Sequence, residues 1–172
     1  TSKNRNEHFS RTLIESRLKQ WLGPRKILWL EHGSLIGDDT DSHIDILARF
    51  APQHKLLYIQ CTDPKDIHYE GLKWMETQLK GFTNAKGDHF EMLPLPLPNV
   101  VDKHGQRLAA SYANFLILNT AVLLPIYGQP EDQQAIAVLK TAFPDSEIVP
   151  INCKPLITQG GSLHCMSMKF HG

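Results

Sequence analysis

The order in which strand-like and helix-like segments recur along the chain is the feature that most constrains its fold. After an opening helix and strand, the order strand, strand, helix, strand is predicted twice, and a single strand follows. The predicted elements are a helix at 10–22, strands at 26–30, 44–50 and 56–61, a helix at 63–81, strands at 90–97, 112–118 and 121–127, a helix at 131–143, and strands at 147–152 and 163–170. A structural repeat of roughly 45–60 residues is typical of modular or propeller-like folds. The incomplete pattern at each end predicts that partner modules are missing from this sequence.

Local signals support several of these boundaries. Ser10 is a good helix N-cap, and Gly23 with Pro24 predicts the end of the first helix. Asp63 followed by Pro64 predicts the start of the second helix. The alternating prolines of segment 90–97 exclude a helix and favour an extended edge strand, because proline cannot donate a backbone hydrogen bond.

Composition narrows the class of protein. The chain has 172 residues, the size of one domain, with 18 Lys+Arg against 18 Asp+Glu. This balance lacks the basic excess of a nucleic-acid-binding protein. No apolar run approaches the ~20 residues of a membrane-spanning helix, and the polar first residues predict no signal peptide. Three cysteines do not make a disulfide framework, so a reducing, cytoplasmic setting is expected.

A cysteine near the end of the chain is the first candidate for chemistry. Cys165 follows Gly160 and Gly161, whose backbone can approach a ligand closely and offer N–H groups to developing charge. The alternative is that Cys165 packs as a small hydrophobe. His164 is not expected to act on Cys165, because neighbouring strand residues point to opposite faces. Cys61 and Cys153 lie in apolar surroundings and are predicted to be core residues.

A polar cluster at 37–45 is the second candidate. Its residues 38–42 fit solvated turn chemistry. His43 and Asp45 are two positions apart at the start of a predicted strand, so they are expected to share one face and to combine an imidazole with a carboxylate. A metal site is the rival interpretation, although neither a calcium-loop nor a zinc-type spacing is present. The remaining histidines, His68 among them, lie in polar surroundings and are predicted to be exposed.

Three separated motifs together resemble one family. They are GDDTDSHIDILARF at 37–50, SYANF at 111–115 and GGSLHC at 160–165. The chain resembles the C-terminal half of the agmatine deiminase (bacterial peptidylarginine deiminase-like) family, from about Arg5 onwards. The resemblance implies an α/β fold that forms about half of a propeller (pentein) of five ββαβ modules. Residues 1–172 are then the C-terminal part of a guanidine-deiminase catalytic domain. Ser42 and Ser162 depart from the family pattern, where glycine and asparagine are usual.

The resemblance also implies a reaction and roles for particular residues. Cys165 is expected to be the nucleophile and His43 the proton carrier, with Asp45 binding the guanidinium of the substrate. Asp39, Gly160 and Gly161 are expected to contribute to substrate binding. The implied reaction converts agmatine to N-carbamoylputrescine and ammonia through a covalent amidino-thioether, a step of putrescine biosynthesis that needs no metal or organic cofactor.

Two other functions stay open at this point. The chain alone is a non-catalytic fragment that acts as a binding or assembly module, or it is a metal hydrolase built on the acidic loop. The expected partner is a small guanidine compound, agmatine or arginine-like, and not nucleic acid or a membrane. A homo-oligomer, or assembly with a missing N-terminal half, is also expected.

Overall fold

The computed structural model describes residues 8–38 and 43–168. Its helices and strands, in chain order, are α1 (Arg11–Leu22), a 3₁₀ helix (Ile44–Ile46), β1 (Ala48–Ala51), β2 (Lys55–Gln60), α2 (Tyr69–Lys80), β3 (Glu91–Pro96), β4 (Leu116–Ile117), β5 (Ala121–Ile126), α3 (Asp132–Ala142), β6 (Glu147–Asn152) and α4 (Lys154–Ile157). No helix within these described ranges has the length and the apolar run needed to cross a bilayer.

The strands form two three-stranded sheets with the same topology. In the first, β1 pairs antiparallel with β2, and β2 pairs parallel with β3 after the crossover through α2. In the second, β4 pairs antiparallel with β5, and β5 pairs parallel with β6 after the crossover through α3. The chain is therefore an α/β protein with two ββαβ modules, as the repeat predicted. The proline-containing β3 is an edge strand, as expected.

The central strand of each sheet carries the core. In β2, Leu57 and Ile59 have no exposed surface, and in β5 the same holds for Val122 and Leu124. A parallel central strand covered on both faces needs apolar residues at nearly every position. Helix α3 also contacts β3 of the preceding module, so the two modules pack against each other.

Five predicted elements differ from the structure. The predicted strand at 26–30 does not form, because α2 supplies its backbone partners: Gln78 donates to the carbonyl of Trp29 and accepts from the N–H of Glu31. Helix α2 begins at Tyr69 rather than at Asp63, because the Asp63 carboxylate accepts from the N–H of Lys65 in a turn.

The other three errors concern strands that were predicted within the three family motifs. Residues 44–46 form a 3₁₀ helix, and the strand of this segment begins only at Ala48. The predicted strand at 112–118 is reduced to Leu116–Ile117. The predicted final strand at 163–170 is absent over its described residues 163–168, where the N–H of Met166 donates to the carbonyl of Ser162 in a turn.

Candidate active site

His43 is held by Asp38 across the undescribed residues 39–42. The Asp38 carboxylate accepts from the backbone N–H of His43 at 2.7 Å, and its other oxygen lies 3.4 Å from Nδ1 of the ring. The Asp38 side chain is only 8% exposed, so its expected role as a solvated turn residue is wrong. Asp38 instead holds His43, the candidate proton carrier, in position. The expected substrate-binding residue Asp39 lies outside the described residues, as does Ser42.

Asp45 lies in the 3₁₀ helix and faces a different set of partners. Oδ2 of its carboxylate accepts from Nδ2 of Asn114 at 2.9 Å and lies 2.8 Å from Nδ1 of His164. The prediction that His43 and Asp45 share one strand face is therefore wrong, since His43 is paired with Asp38 and Asp45 with distant segments. Within the described residues, Oδ1 of Asp45 makes no hydrogen bond, which leaves one carboxylate oxygen to accept from a ligand.

Asn114 joins the segments that carry Asp45 and Cys165. It is completely buried; its Oδ1 accepts from the N–H of His164 at 2.9 Å, and its Nδ2 lies 3.4 Å from Sγ of Cys165. The sequence analysis quoted Asn114 in a motif but gave it no role. A polar amide inside an apolar run was the available signal, because buried amides need partners.

The turn at 163–166 brings His164 and Cys165 to the same carboxylate. Sγ of Cys165 lies 3.9 Å from Oδ2 of Asp45, the atom that also contacts the His164 ring. The strand alternation on which the expectation about His164 rested is absent, because residues 163–166 form a turn. Neighbouring residues in a turn are free of the strict alternation of a strand.

The three cysteines differ in exposure. The thiol of Cys165 is exposed, whereas Cys61 is half-buried and Cys153 is buried. Burial is the main cause that raises the pKa of the Cys61 and Cys153 thiols, which disfavours their thiolate forms. Cys153 is a core residue as predicted, and Cys61 packs at the border of the core.

Arg49 is a further residue that the sequence analysis missed. Its guanidinium donates to the carbonyls of Ala113 and Phe115 at 3.4 and 3.1 Å and lies over the Phe115 ring. Burial lowers the pKa of Arg49, and the nearby Asp45 carboxylate opposes that shift. By binding the carbonyls on both sides of Asn114, Arg49 fixes the backbone from which the amide projects.

A cavity of about 600 Å³ connects His43 with Cys165. Its walls come mainly from the segments 36–38, 106–109 and 157–165, and Gly160 and Gly161 also line it. Asp45 is not among the lining residues and reaches the cavity only through its contact with Cys165. This volume is in the range of small-molecule sites. Gly160 adopts a positive φ of 84°, which favours glycine, but its N–H donates to Ile157 and is not offered to the cavity.

Metal binding finds no support in the described part of the chain. No group of three or more His, Cys, Asp or Glu side chains converges there in an arrangement that could hold an ion. The polar groups around Cys165 instead form a hydrogen-bonded network on Asp45 and Asn114.

Comparison with known proteins gives one consistent family. The sequence model of Porphyromonas-type peptidyl-arginine deiminases matches residues 1–170. Agmatine deiminase of Medicago truncatula is 34% identical over 98% of this chain and 50% of its own length. A Cys-to-Ser variant of C. jejuni agmatine deiminase with substrate bound has a TM-score of 0.87 at 38% identity, covering 95% of this chain and 47% of that one. Enterococcus faecalis agmatine deiminase has a TM-score of 0.84 at 31% identity, covering 95% and 49%. The chain spans about half the length of the relatives that it matches.

Proposed function

The chain belongs to the Porphyromonas-type peptidyl-arginine deiminase family, and on that premise we propose that it carries the nucleophile of a guanidine deiminase. The observation that carries the proposal is the exposed thiol of Cys165, 3.9 Å from the Asp45 carboxylate and in the same cavity as His43. A thiol, a carboxylate and an imidazole are the groups that covalent hydrolysis of a guanidinium requires.

Substrate binding prepares the nucleophile. A guanidinium placed between Asp45 and Cys165 donates N–H bonds to the carboxylate, which fixes its central carbon in line with Sγ.

The reaction then proceeds in two steps. His43 takes the proton of the Cys165 thiol as Sγ attacks the guanidinium carbon; the bond from that carbon to one amino group then breaks, and ammonia leaves with that proton from His43. The product of this step is an amidino-thioether on Cys165. His43 next removes a proton from water, the hydroxide adds to the same carbon, and the C–S bond breaks to give a ureido product and the free thiol.

Agmatine is the substrate that we propose, with N-carbamoylputrescine and ammonia as products. This choice is supported by the names of the relatives, which are agmatine deiminases. All three cysteines are free thiols, which suits the reducing cytoplasm. No organic cofactor is required by these steps. We further propose that the two ββαβ modules belong to a five-module ring in which residues 1–172 form the C-terminal part of the catalytic domain.

The test measures turnover of agmatine by the protein expressed from its complete gene. We expect Cys165→Ala and His43→Ala each to lower kcat by at least about 100-fold, since each removes a group that reacts or carries a proton. Cys61→Ala and His104→Ala are the matched controls, because they remove a thiol and an imidazole at positions outside the site. Both variants should retain parental turnover. Parental formation of the ureido product by either site variant would contradict the proposal.

A labelling experiment tests the site without turnover. Intact mass is measured during incubation with a haloacetamidine, which combines a guanidine-like cation with a thiol-alkylating group. Cys165 should react first, because it alone pairs an exposed thiol with Asp45 among the three cysteines. Equal rates at Cys165 and Cys61 would mean that these 172 residues alone do not form the site, which favours the alternative of a non-catalytic fragment.

A further inference from the structure

A buried histidine lies behind the wall of the cavity and takes no part in the reaction steps above. His68 is only 6% exposed, so the prediction that this histidine is exposed is wrong. It occupies the N-cap position of α2, yet its side chain does not cap the helix. The ring reaches another segment instead: the backbone N–H of Ile36 donates to Nε2 at 3.0 Å.

The partners of the His68 ring determine which nitrogen carries the proton. Asp66 lies 2.8 Å from Nδ1 and also accepts from the backbone N–H of His68. Burial raises the pKa of Asp66, but the hydrogen bonds from His68 and Arg107 outweigh it and hold that pKa below its usual range. The ionised carboxylate accepts a hydrogen bond from Nδ1–H, which leaves the lone pair of Nε2 to accept from the N–H of Ile36.

The same carboxylate also holds the opposite side of the turn that contains Ile36. Arg107 donates to Asp66 at 3.0 Å, and its backbone carbonyl lies close to Gly37. A Cβ at Gly37 would come within 3.1 Å of that carbonyl and 3.0 Å of the Ala109 nitrogen. The turn is thus held by His68 at Ile36 and packs closely against the segment 107–109 at Gly37, where a side chain would not fit.

This turn ends at Asp38, which is the residue that holds His43. The N–H of Asp38 donates to the carbonyl of Leu35, and the Asp38 carboxylate binds His43 through its backbone and faces its ring. We propose that His68 is a positioning residue: its Nε2 anchors Ile36 and thereby sets the place of Asp38 and of the His43 ring in the cavity. The catalytic consequence rests on the proposed function of His43 as proton carrier.

Two substitutions separate this role from simple packing. His68→Gln places an acceptor oxygen near the position of Nε2 and retains the bond from Ile36. His68→Asn places a donor near the position of Nδ1, retains the contact with Asp66 and leaves the N–H of Ile36 without its partner. Both variants remove the ring and keep the backbone bond to Asp66, so a purely structural role would affect them alike.

We expect His68→Asn to lower kcat per active site by roughly 10- to 100-fold with KM within about threefold, because small misplacements of a catalytic group have effects of that size. His68→Gln should restore kcat to within about threefold of the parent. The measurement uses agmatine and the protein from its complete gene, with active sites counted by haloacetamidine labelling. Parental kcat in His68→Asn, or equal losses in both variants, would overturn the proposal.

Nuclear magnetic resonance of the histidine rings gives a readout that does not need turnover. The His43 signals, assigned with His43→Gln, should move in His68→Asn and stay in place in His68→Gln. Unmoved His43 signals in His68→Asn would overturn the positioning role even in an active enzyme. If the parent turns over no guanidine compound, the proposed function fails, and these signals still decide whether His68 positions His43.

Discussion

At the scale of single residues, one buried hydroxyl holds together two segments of the candidate site. The Tyr127 hydroxyl donates to the carbonyl of Ser111 at 3.1 Å and accepts from the N–H of the same residue at 3.2 Å. The hydroxyl of Ser162 lies 2.9 Å away, and all three residues are buried. Burial is the main cause that raises the pKa of Tyr127, which keeps it a neutral donor. Ser111 lies shortly before Asn114 in the chain, and Ser162 lies shortly before Cys165. The Tyr127 hydroxyl therefore supports the two segments that carry these site residues.

We therefore expect Tyr127→Phe to lower the free energy of unfolding by about 1–3 kcal/mol, since it leaves buried polar groups unpaired. Urea unfolding at neutral pH measures the change. Thr77→Ala is the control, because it removes an exposed hydroxyl bonded within α2 and should change the free energy by less than about 0.5 kcal/mol. Equal effects of the two substitutions would contradict the role assigned to Tyr127.

At the scale of elements, a buried carboxylate fastens helix α2 to strand β2. Glu76 is 6% exposed; it accepts from Lys80 of its own helix at 2.6 Å and from Gln60 at the end of β2 at 3.3 Å. Burial acts to raise the pKa of Glu76, but the bonds from Lys80 and Gln60 outweigh it and lower that pKa. The carboxylate thus contributes stability only while it is ionised.

The expected consequence is a pH-dependent effect of Glu76→Gln. The substitution should lower the free energy of unfolding by about 1 kcal/mol above pH 4.5, the ordinary value of a glutamate, where the whole contribution is present. The difference between parent and variant should shrink as the pH falls through the lower pKa of the folded state. Urea unfolding of both proteins between neutral pH and pH 3 checks this.

The matched control is the exposed Glu70 in the first turn of the same helix. Glu70→Gln should leave the free energy of unfolding within about 0.5 kcal/mol of the parent at every pH. A difference for Glu76→Gln that is constant with pH would show that the ionised carboxylate does not stabilise the junction.

At the scale of the whole molecule, several large apolar side chains are exposed. Helix α1 has no buried residue, and Trp21 and Leu22 at its end are 67% and 75% exposed. Ile67 and Trp74, near and on α2, are 76% and 60% exposed. Exposed apolar groups of this size favour association. The chain also spans about half the length of its relatives.

We expect the 172-residue chain on its own to self-associate. Light scattering should give a mean mass that rises with protein concentration. Trp21→Gln should reduce the association without destabilising the fold, because Trp21 lies on a helix with no buried residue. A monodisperse monomer with a single cooperative melting transition would contradict the expectation of a missing partner half.

The amino-acid sequence by itself determined the elements whose residues carry a strong local signal. Apolar runs predicted the central strands Lys55–Gln60 and Ala121–Ile126, and helical spacing predicted Asp132–Ala142. The order of these elements was sufficient to predict two ββαβ modules. The exposed thiol motif and the His43 cluster were also visible, because glycine pairs and dense polar clusters are local features.

Only the tertiary structure decided how the candidate site is assembled. Asp45 meets His164 across 119 positions and Asn114 across 69, and no local pattern encodes such pairs. The same reason explains why the strands predicted at 26–30 and 163–170 do not form over their described residues. Backbone groups of these segments bond to the distant side chains of Gln78 and Asn114, so the partner that the fold supplies overrides local preference.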